Sequence, residues 1–180
     1  MKLIKGGVDL KPYLHGFRES AFRLEAHQYY ESPKERNWLE RWKQTGEVPT
    51  FTPDNDPWCK FVAEAKAAGK TMQRVRLVEE PLTDYVRFEL QCQHHSVEAG
   101  EDIRVTVVKP VRDFAVNDDP LSDMFDFWLF DEETVVELEY DHEGRFVNAY
   151  AVTDTELRYR AYRNMALRRS IPLKEYSYPP

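Results

Sequence analysis

Glycine is scarce in this 180-residue sequence, with seven in all. No GxGxxG, P-loop or GxSxG occurs, so phosphate-cradling loops have no support and the common nucleotide enzymes are not expected. Cysteine is scarcer still. Cys59 and Cys92 stand at unrelated spacing, which offers neither a disulfide framework nor a zinc knuckle, and both read as buried, reduced thiols. No apolar run approaches the roughly 18 residues of a membrane-spanning helix. The opening MKLIKGGVDLKPY has no apolar stretch before Asp9, so the expected location is the cytoplasm. Positive charge is missing over a long stretch: between Asp113 and Gly144 there are twelve acidic residues and no Lys or Arg. Nucleic-acid binding depends on cations that displace condensed counterions, so direct nucleic-acid contact is not expected. The segment reads as solvated loop and strand faces or, more sharply, as a docking face for a basic partner protein.

What the chain does have is aromatic mass. Its 10 Phe, 10 Tyr and 4 Trp within a 42% hydrophobic composition suffice for a sizeable core, and the net charge of −7 suits one soluble domain. The reading is a single domain over 1–180, with residues 1–70 as a helical N-terminal layer and 71–180 as a sheet-containing core.

Phe17, Ala21, Leu24 and Gln28 recur at helical spacing and predict an amphipathic helix across about Leu14–Tyr29. Ser32-Pro33-Lys34-Glu35 is a capping box with proline at the first helical position, which predicts a helix Pro33–Gln44 carrying Trp38, Leu39 and Trp42 on one face. Asp54-Asn55-Asp56 resembles the start of a calcium loop, but Cys59 and Ala65 stand where Gly and Glu are needed. Asp56 is instead read as the cap of a helix with Trp58, Phe61, Val62 and Ala65 inward, ended by Gly69. From Thr71 the period changes to 2. Val75 and Leu77 alternate with Arg74 and Arg76, and Ile103, Val105 and Val107 alternate in Asp102–Val108. The helix predicted between these strands, Leu82–Gln93, makes a βαβ unit with a parallel pair. Phe125–Phe130, Thr134–Tyr140 and Arg145–Val152 predict an antiparallel meander, its first strand central. Thr153-Asp154-Thr155-Glu156 caps a last helix through about Arg169, with Leu157, Ala161 and Met165 inward. The fold class is therefore α/β or α+β, a mixed sheet of about five strands between an N-terminal helical layer and a C-terminal helix.

Two clusters hold potential chemistry. Cys92, His94, His95 and Glu98 include metal-ligating types, but no HExxH or CxxC spacing organises them, so they read as a surface turn with no metal. Arg74 and Arg76 project from one strand face toward Asp84, Tyr85, Arg87 and Glu89 on the following helix. This is either an ion-pair network locking helix to strand, centred on Arg76, Asp84 and Arg87, or a pocket for a small ligand or peptide. Trp38, Trp42 and Trp58 read as packing an N-terminal helical subdomain onto the sheet or, alternatively, as an exposed aromatic groove for a partner. With Asp126 and Asp131 from the acidic segment, the candidate binding residues are Trp58, Arg76, Asp84, Tyr85, Arg87, Glu89, Asp126 and Asp131. No catalytic residue and no cofactor is expected.

WLERW at 38–42, TGEVPTFTPDNDPWC at 45–59, VRLVEEPLTDYVRFEL at 75–90, AGEDIRV at 99–105 and DFWLFDEETVVELEYDHEGRF at 126–146 resemble an uncharacterised actinobacterial domain family. Its members are often encoded near helix-turn-helix developmental regulators. The second half distantly resembles half of a phospholipase D-like fold. That fold's catalytic motif has His followed two residues later by Lys, and none of the five histidines here has one. The family brings no established activity; the acidic field, the missing catalytic motifs and the resemblance together lead to the expectation of a non-enzymatic regulatory or protein-interaction module acting with a DNA-binding partner protein. The alternative is a small-ligand sensor or enzyme using Arg76, Asp84, Tyr85, Arg87 and Glu89. A concave pocket around those side chains would favour the alternative, and a flat, filled network the first reading.

Overall fold

A computed structural model describes residues 2–4, 10–109, 119–152 and 156–177, the first three by backbone alone. In chain order the elements are β1 (Lys2–Ile4), α1 (Lys11–Gly16), β2 (Ser20–Glu25), α2 (Pro33–Thr45), α3 (Pro57–Ala67), β3 (Thr71–Glu79), α4 (Asp84–Ala99), β4 (Asp102–Val108), β5 (Phe127–Phe130), β6 (Thr134–Tyr140), β7 (Phe146–Val152), α5 (Glu156–Arg169) and β8 (Ile171–Pro172). The strands form one mixed sheet in the order β1-β7-β6-β5-β2-β3-β4-β8. The sheet thus has eight strands where about five were expected. The five anticipated strands are all present, and β1, β2 and the two-residue β8 are the additions. Among the described residues no helix is long and apolar enough to cross a membrane.

The main correction is β2. Phe17 turns extended and ends the short α1, and the stretch expected to continue as a helix becomes a strand between β3, to which it runs parallel, and β5, to which it runs antiparallel. The sequence SAFRLE satisfies both periods. Ala21, Arg23 and Glu25 alternate with Phe22 and Leu24, and tertiary pairing decides between the two readings. Residues 1–70 are therefore not a purely helical layer, because β1 and β2 belong to the sheet.

Parallel register places Ala21, Arg23 and Glu25 beside Met72, Arg74 and Arg76, while antiparallel register sets Trp128 beside Arg23. This face packs under α3 and α4, with Val62, Ala65, Val86 and Leu90 buried. The opposite face, with Phe22, Leu24, Val75, Leu77, Leu129 and Val135, is covered by Tyr159 and Ala166 of α5. Helices thus lie on both faces of the sheet, and the predicted β3-α4-β4 unit forms with its parallel pair. α5 turns differently from expectation: Leu157 is 79% exposed, because Tyr159 takes the inward position, its ring 4.9 Å from Phe127. The capping box proposed for this helix includes residues 153–155, which lie outside the described residues.

Caps mostly follow the sequence. Asp56 accepts the Cys59 N–H at 2.9 Å, as its reading as a helix cap requires, and Thr83 accepts the Val86 N–H at 3.2 Å. Ser32 makes no side-chain cap bond, so the predicted capping box does not close. α4 runs to Ala99 rather than Gln93, because Gln93 and Ser96 are buried while His94 and Glu98 face solvent. The Cys92, His94, His95 and Glu98 group is therefore helical rather than a turn. In the β6–β7 turn Gly144 has φ +77°, and a Cβ there would lie 2.6 Å from the Tyr29 carbonyl oxygen.

Phe127, 1% exposed in a strand flanked by β2 and β6, sets the first test. Phe127→Ala should lower stability by about 3–5 kcal/mol in urea denaturation. A loss below about 1 kcal/mol would contradict this placement.

Candidate functional site

Burying β2 between β3 and β5 takes charge into the sheet. Arg23 and Glu25 are 4% and 7% exposed, and Arg76 is 0% exposed. Ions in such places cost several kcal/mol each unless paired and hydrogen-bonded. Here each finds partners from a neighbouring element. Arg74 donates Nε–H to Glu101 at 2.8 Å and Nη1–H to Glu25 at 2.7 Å. Arg76 donates Nε–H to Glu89 of α4 at 2.7 Å and Nη1–H to the Leu77 carbonyl at 3.0 Å. Asp126, 0% exposed, accepts from Arg23 Nη2, from the Tyr30 hydroxyl at 2.6 Å and from the Ala26 N–H at 2.9 Å. Gln93 of α4 donates Nε2–H to Glu25 at 3.2 Å.

These pairings set the protonation states. Burial alone would raise Glu25, but Arg74, then Arg23 and Arg76, hold it below its ordinary value. Burial opposes the charge on all three arginines as well, yet their carboxylate neighbours keep them firmly protonated. Glu89 shifts the other way: burial, only partly offset by Arg76, pushes it up to about 7. Burial also raises Glu35, against the opposing hydrogen bond from Tyr85. Glu35 is the residue whose capping box did not close; its carboxylate accepts from the Tyr85 hydroxyl at 3.3 Å instead.

Over this network lies a cavity of about 490 Å³, within the range of small-molecule sites. Arg23, Glu25 and Arg74 form its floor with Trp128, α4 contributes Tyr85, Phe88, Glu89, Cys92 and Gln93, and Glu35, Trp38, Phe51 and Trp58 complete the walls. Aromatic rings carry the chain's own cations here: Arg74 lies 5.5 Å from the Trp58 ring, Arg23 5.6 Å from Trp128, and Lys34 4.6 Å from Trp38. Both cysteines line the cavity, and burial pushes Cys59 up to about 11 and Cys92 to about 12. The thiols are therefore protonated and poor nucleophiles at neutral pH.

Of the residues singled out from the sequence, Trp58, Tyr85 and Glu89 line this cavity, and Arg76 lies beneath it as the partner of Glu89. Asp126 serves the network from below by holding Arg23. Asp84 does not join: it is exposed on the first turn of α4 and takes part in no ion pair among the described residues. The expected Arg76–Asp84–Arg87 tie is replaced by Arg76–Glu89, one helical turn deeper. Arg87 is outside the cavity lining, with its Nε buried and unpartnered. Asp131 is structural, accepting the backbone N–H groups of Arg18, Glu19 and Ser20 at the β5–β6 turn. Two acidic residues of the 113–144 segment are thus employed inside the fold rather than on a docking face; residues 110–118 lie outside the described residues. Missed were Arg23, Glu25, Glu35 and Gln93. The period-2 alternation of Arg23 and Glu25 with Phe22 and Leu24, matching that around Arg74 and Arg76, was the available signal.

A family model described as a domain of unknown function, DUF6879, matches residues 8–178. The chain belongs to that family. No curated protein matches the sequence. The family match covers every residue of the cavity, from Arg23 to Phe146.

Two tests follow. Asp126→Ala strands the buried Arg23 guanidinium and should cost about 3–5 kcal/mol in urea denaturation, whereas Asp84→Asn, at an exposed first turn, should cost less than about 1 kcal/mol. Equal losses would contradict the assignment of the network.

The second concerns pH. Glu89 is raised from 4.5 to about 7 on folding, so between those values the folded state binds more protons than the unfolded one. The Glu89 contribution to stability therefore declines as pH rises through that window and is fully unfavourable above it. Glu25 is lowered, so its contribution is lost only in acid and is flat from pH 5 to 8. Glu89→Gln should gain stability relative to the parent as pH rises from 5 to 8, read from urea midpoints at each pH. A gap that is constant or shrinks would refute the burial of that carboxylate.

Proposed function

We propose that the protein is a non-enzymatic sensor that takes a small molecule into the cavity above the Arg23, Glu25, Arg74 and Arg76 network. The observation that carries this reading is the cavity itself: about 490 Å³ of concave space occupies the position where a purely structural network would be filled. Buried polar groups beneath an aromatic-walled cleft are the usual composition of a ligand site. Protonated Cys59 and Cys92 give no activated nucleophile and favour binding over covalent chemistry. A DNA-binding partner protein is the natural recipient of such a signal. In support, residues 101–150 carry 4 basic against 14 acidic residues, a balance that suits a protein partner better than a phosphate backbone. Action in the cytoplasm, a genomic setting beside helix-turn-helix regulators in actinobacteria, and distant kinship with half of a phospholipase D-like fold complete the proposal.

The test is thermal. A metabolite extract containing a ligand at 100 Kd would stabilise the folded state by about 2.7 kcal/mol, roughly 5–10 °C in Tm for a chain of this size. The expected result is such a shift in the parent protein and its loss in Phe51→Ala, which removes one wall. Extracts that leave Tm unchanged, with a stable complex to another protein formed equally by parent and variant, would replace the sensor with a plain interaction module.

A further inference from the structure

The polar groups at the cavity are unevenly matched. Three guanidiniums, Arg23, Arg74 and Arg76, face five carboxylates, Glu25, Glu35, Glu89, Glu101 and Asp126. The guanidiniums are engaged by Glu25, Glu89, Glu101 and Asp126, while among the described residues Glu35 forms no ion pair and accepts from the neutral Tyr85 hydroxyl, with Arg74 and Lys34 acting on it without a direct contact. Other charges at the rim are spoken for: Glu31 pairs with Arg36, Asp56 caps α3, and Lys34 lies over Trp38.

A second observation is independent of charge. Gln93, 7% exposed and lining the cavity, gives Nε2–H to Glu25 and leaves Oε1 with no partner. A buried acceptor without a donor is destabilising, so a ligand donor there gains more than at an exposed group. Arg23 Nη1, Arg76 Nη2 and Arg87 Nε are also without a hydrogen bond among the described residues, but Arg76 and Arg87 are outside the cavity lining and the Arg23 guanidinium lies over Trp128 while its Nη2 is held by Asp126. The acceptors left at the lining are Glu35 and Gln93 Oε1. Among the described residues no cation lies over Phe51, which is half-buried in the cavity wall beside these acceptors, whereas Tyr85 and Phe88 are buried against other rings.

Resting on the ligand-binding reading above, we propose that the cavity takes an organic cation carrying N–H donors, a protonated amine on an aromatic body. The ammonium supplies the ion pair that Glu35 lacks among the described residues and a donor for Gln93 Oε1, and the aromatic body packs against Phe51 of the cavity wall. Burial raises Glu35 and Glu89 despite their cationic neighbours. Anionic ligands are disfavoured, because Arg23, Arg74 and Arg76 each already have a carboxylate.

Three probes share one aromatic body and differ in charge: tryptamine, indole and indole-3-acetate. Titration calorimetry on the intact protein should give tryptamine at least about tenfold tighter binding than indole, with indole-3-acetate weakest. Glu35→Gln should weaken tryptamine about tenfold and leave indole unchanged; urea denaturation of that variant confirms that it folds. Equal affinities for the three probes, tighter binding of indole-3-acetate, or no binding of tryptamine would each overturn the cation proposal. The metabolite-extract shift is measured separately, so a retained shift with failed charge preference overturns the ligand class alone, and loss of both removes the sensor reading as well.

Discussion

The parallel pairing of β2 with β3 is the constraint on which the rest of the structure depends. It sets Arg23 against Arg74 and Glu25 against Arg76 on one buried face, an arrangement that would be strongly unfavourable without carboxylates from outside the pair. Those come from three places in the chain: Asp126 before β5, Glu101 before β4, and Glu89 on α4. The network thus ties the sheet centre to α4 and to both neighbouring strands. Its cost in desolvation is high, so it acts less as a source of stability than as a demand that these elements sit in one arrangement.

The same demand shapes the cavity. Arginine and glutamate side chains cannot be packed over by an apolar helix as leucines can, and α2, α3 and α4 close around them with aromatic rings instead. Trp58 of α3 and Trp128 of β5 lie against the Arg74 and Arg23 guanidiniums, which stabilises both partners. The opposite face has no such conflict. There Phe22, Leu24, Val75, Leu77 and Phe127 pack directly against Tyr159 and Ala166. The two faces of the sheet centre thus differ in which side of β2 and β3 carries charge.

Several elements were legible before any coordinates. The βαβ unit, the meander and the Asp56 cap follow from periods and capping chemistry that act within a few residues, and they form where expected. Tyr85 and Glu89 were found as site candidates because they lie near the conspicuous Arg74-Val75-Arg76 pattern, and Trp58 as one of the tryptophans that could form an aromatic groove. Asp84 was attractive for the same reason, but sequence spacing gives the helix face and not the depth at which it meets the sheet; Glu89 lies deeper. Glu35 looked like a capping partner, a role it gave up for Tyr85, fifty positions away.

The sequence by itself determined the mixed helix and strand class, the antiparallel meander, the lack of common catalytic motifs, and the lack of a disulfide framework for its two cysteines. These depend on local spacing and composition, which are complete in the chain. Only the tertiary structure decided that SAFRLE is a central strand, that Arg23 and Glu25 are buried, and that a cavity opens above them. The physical reason is that Arg and Glu read as solvent-facing unless partners compensate for their burial, and here those partners lie up to 103 residues away in the chain, where no periodicity reaches.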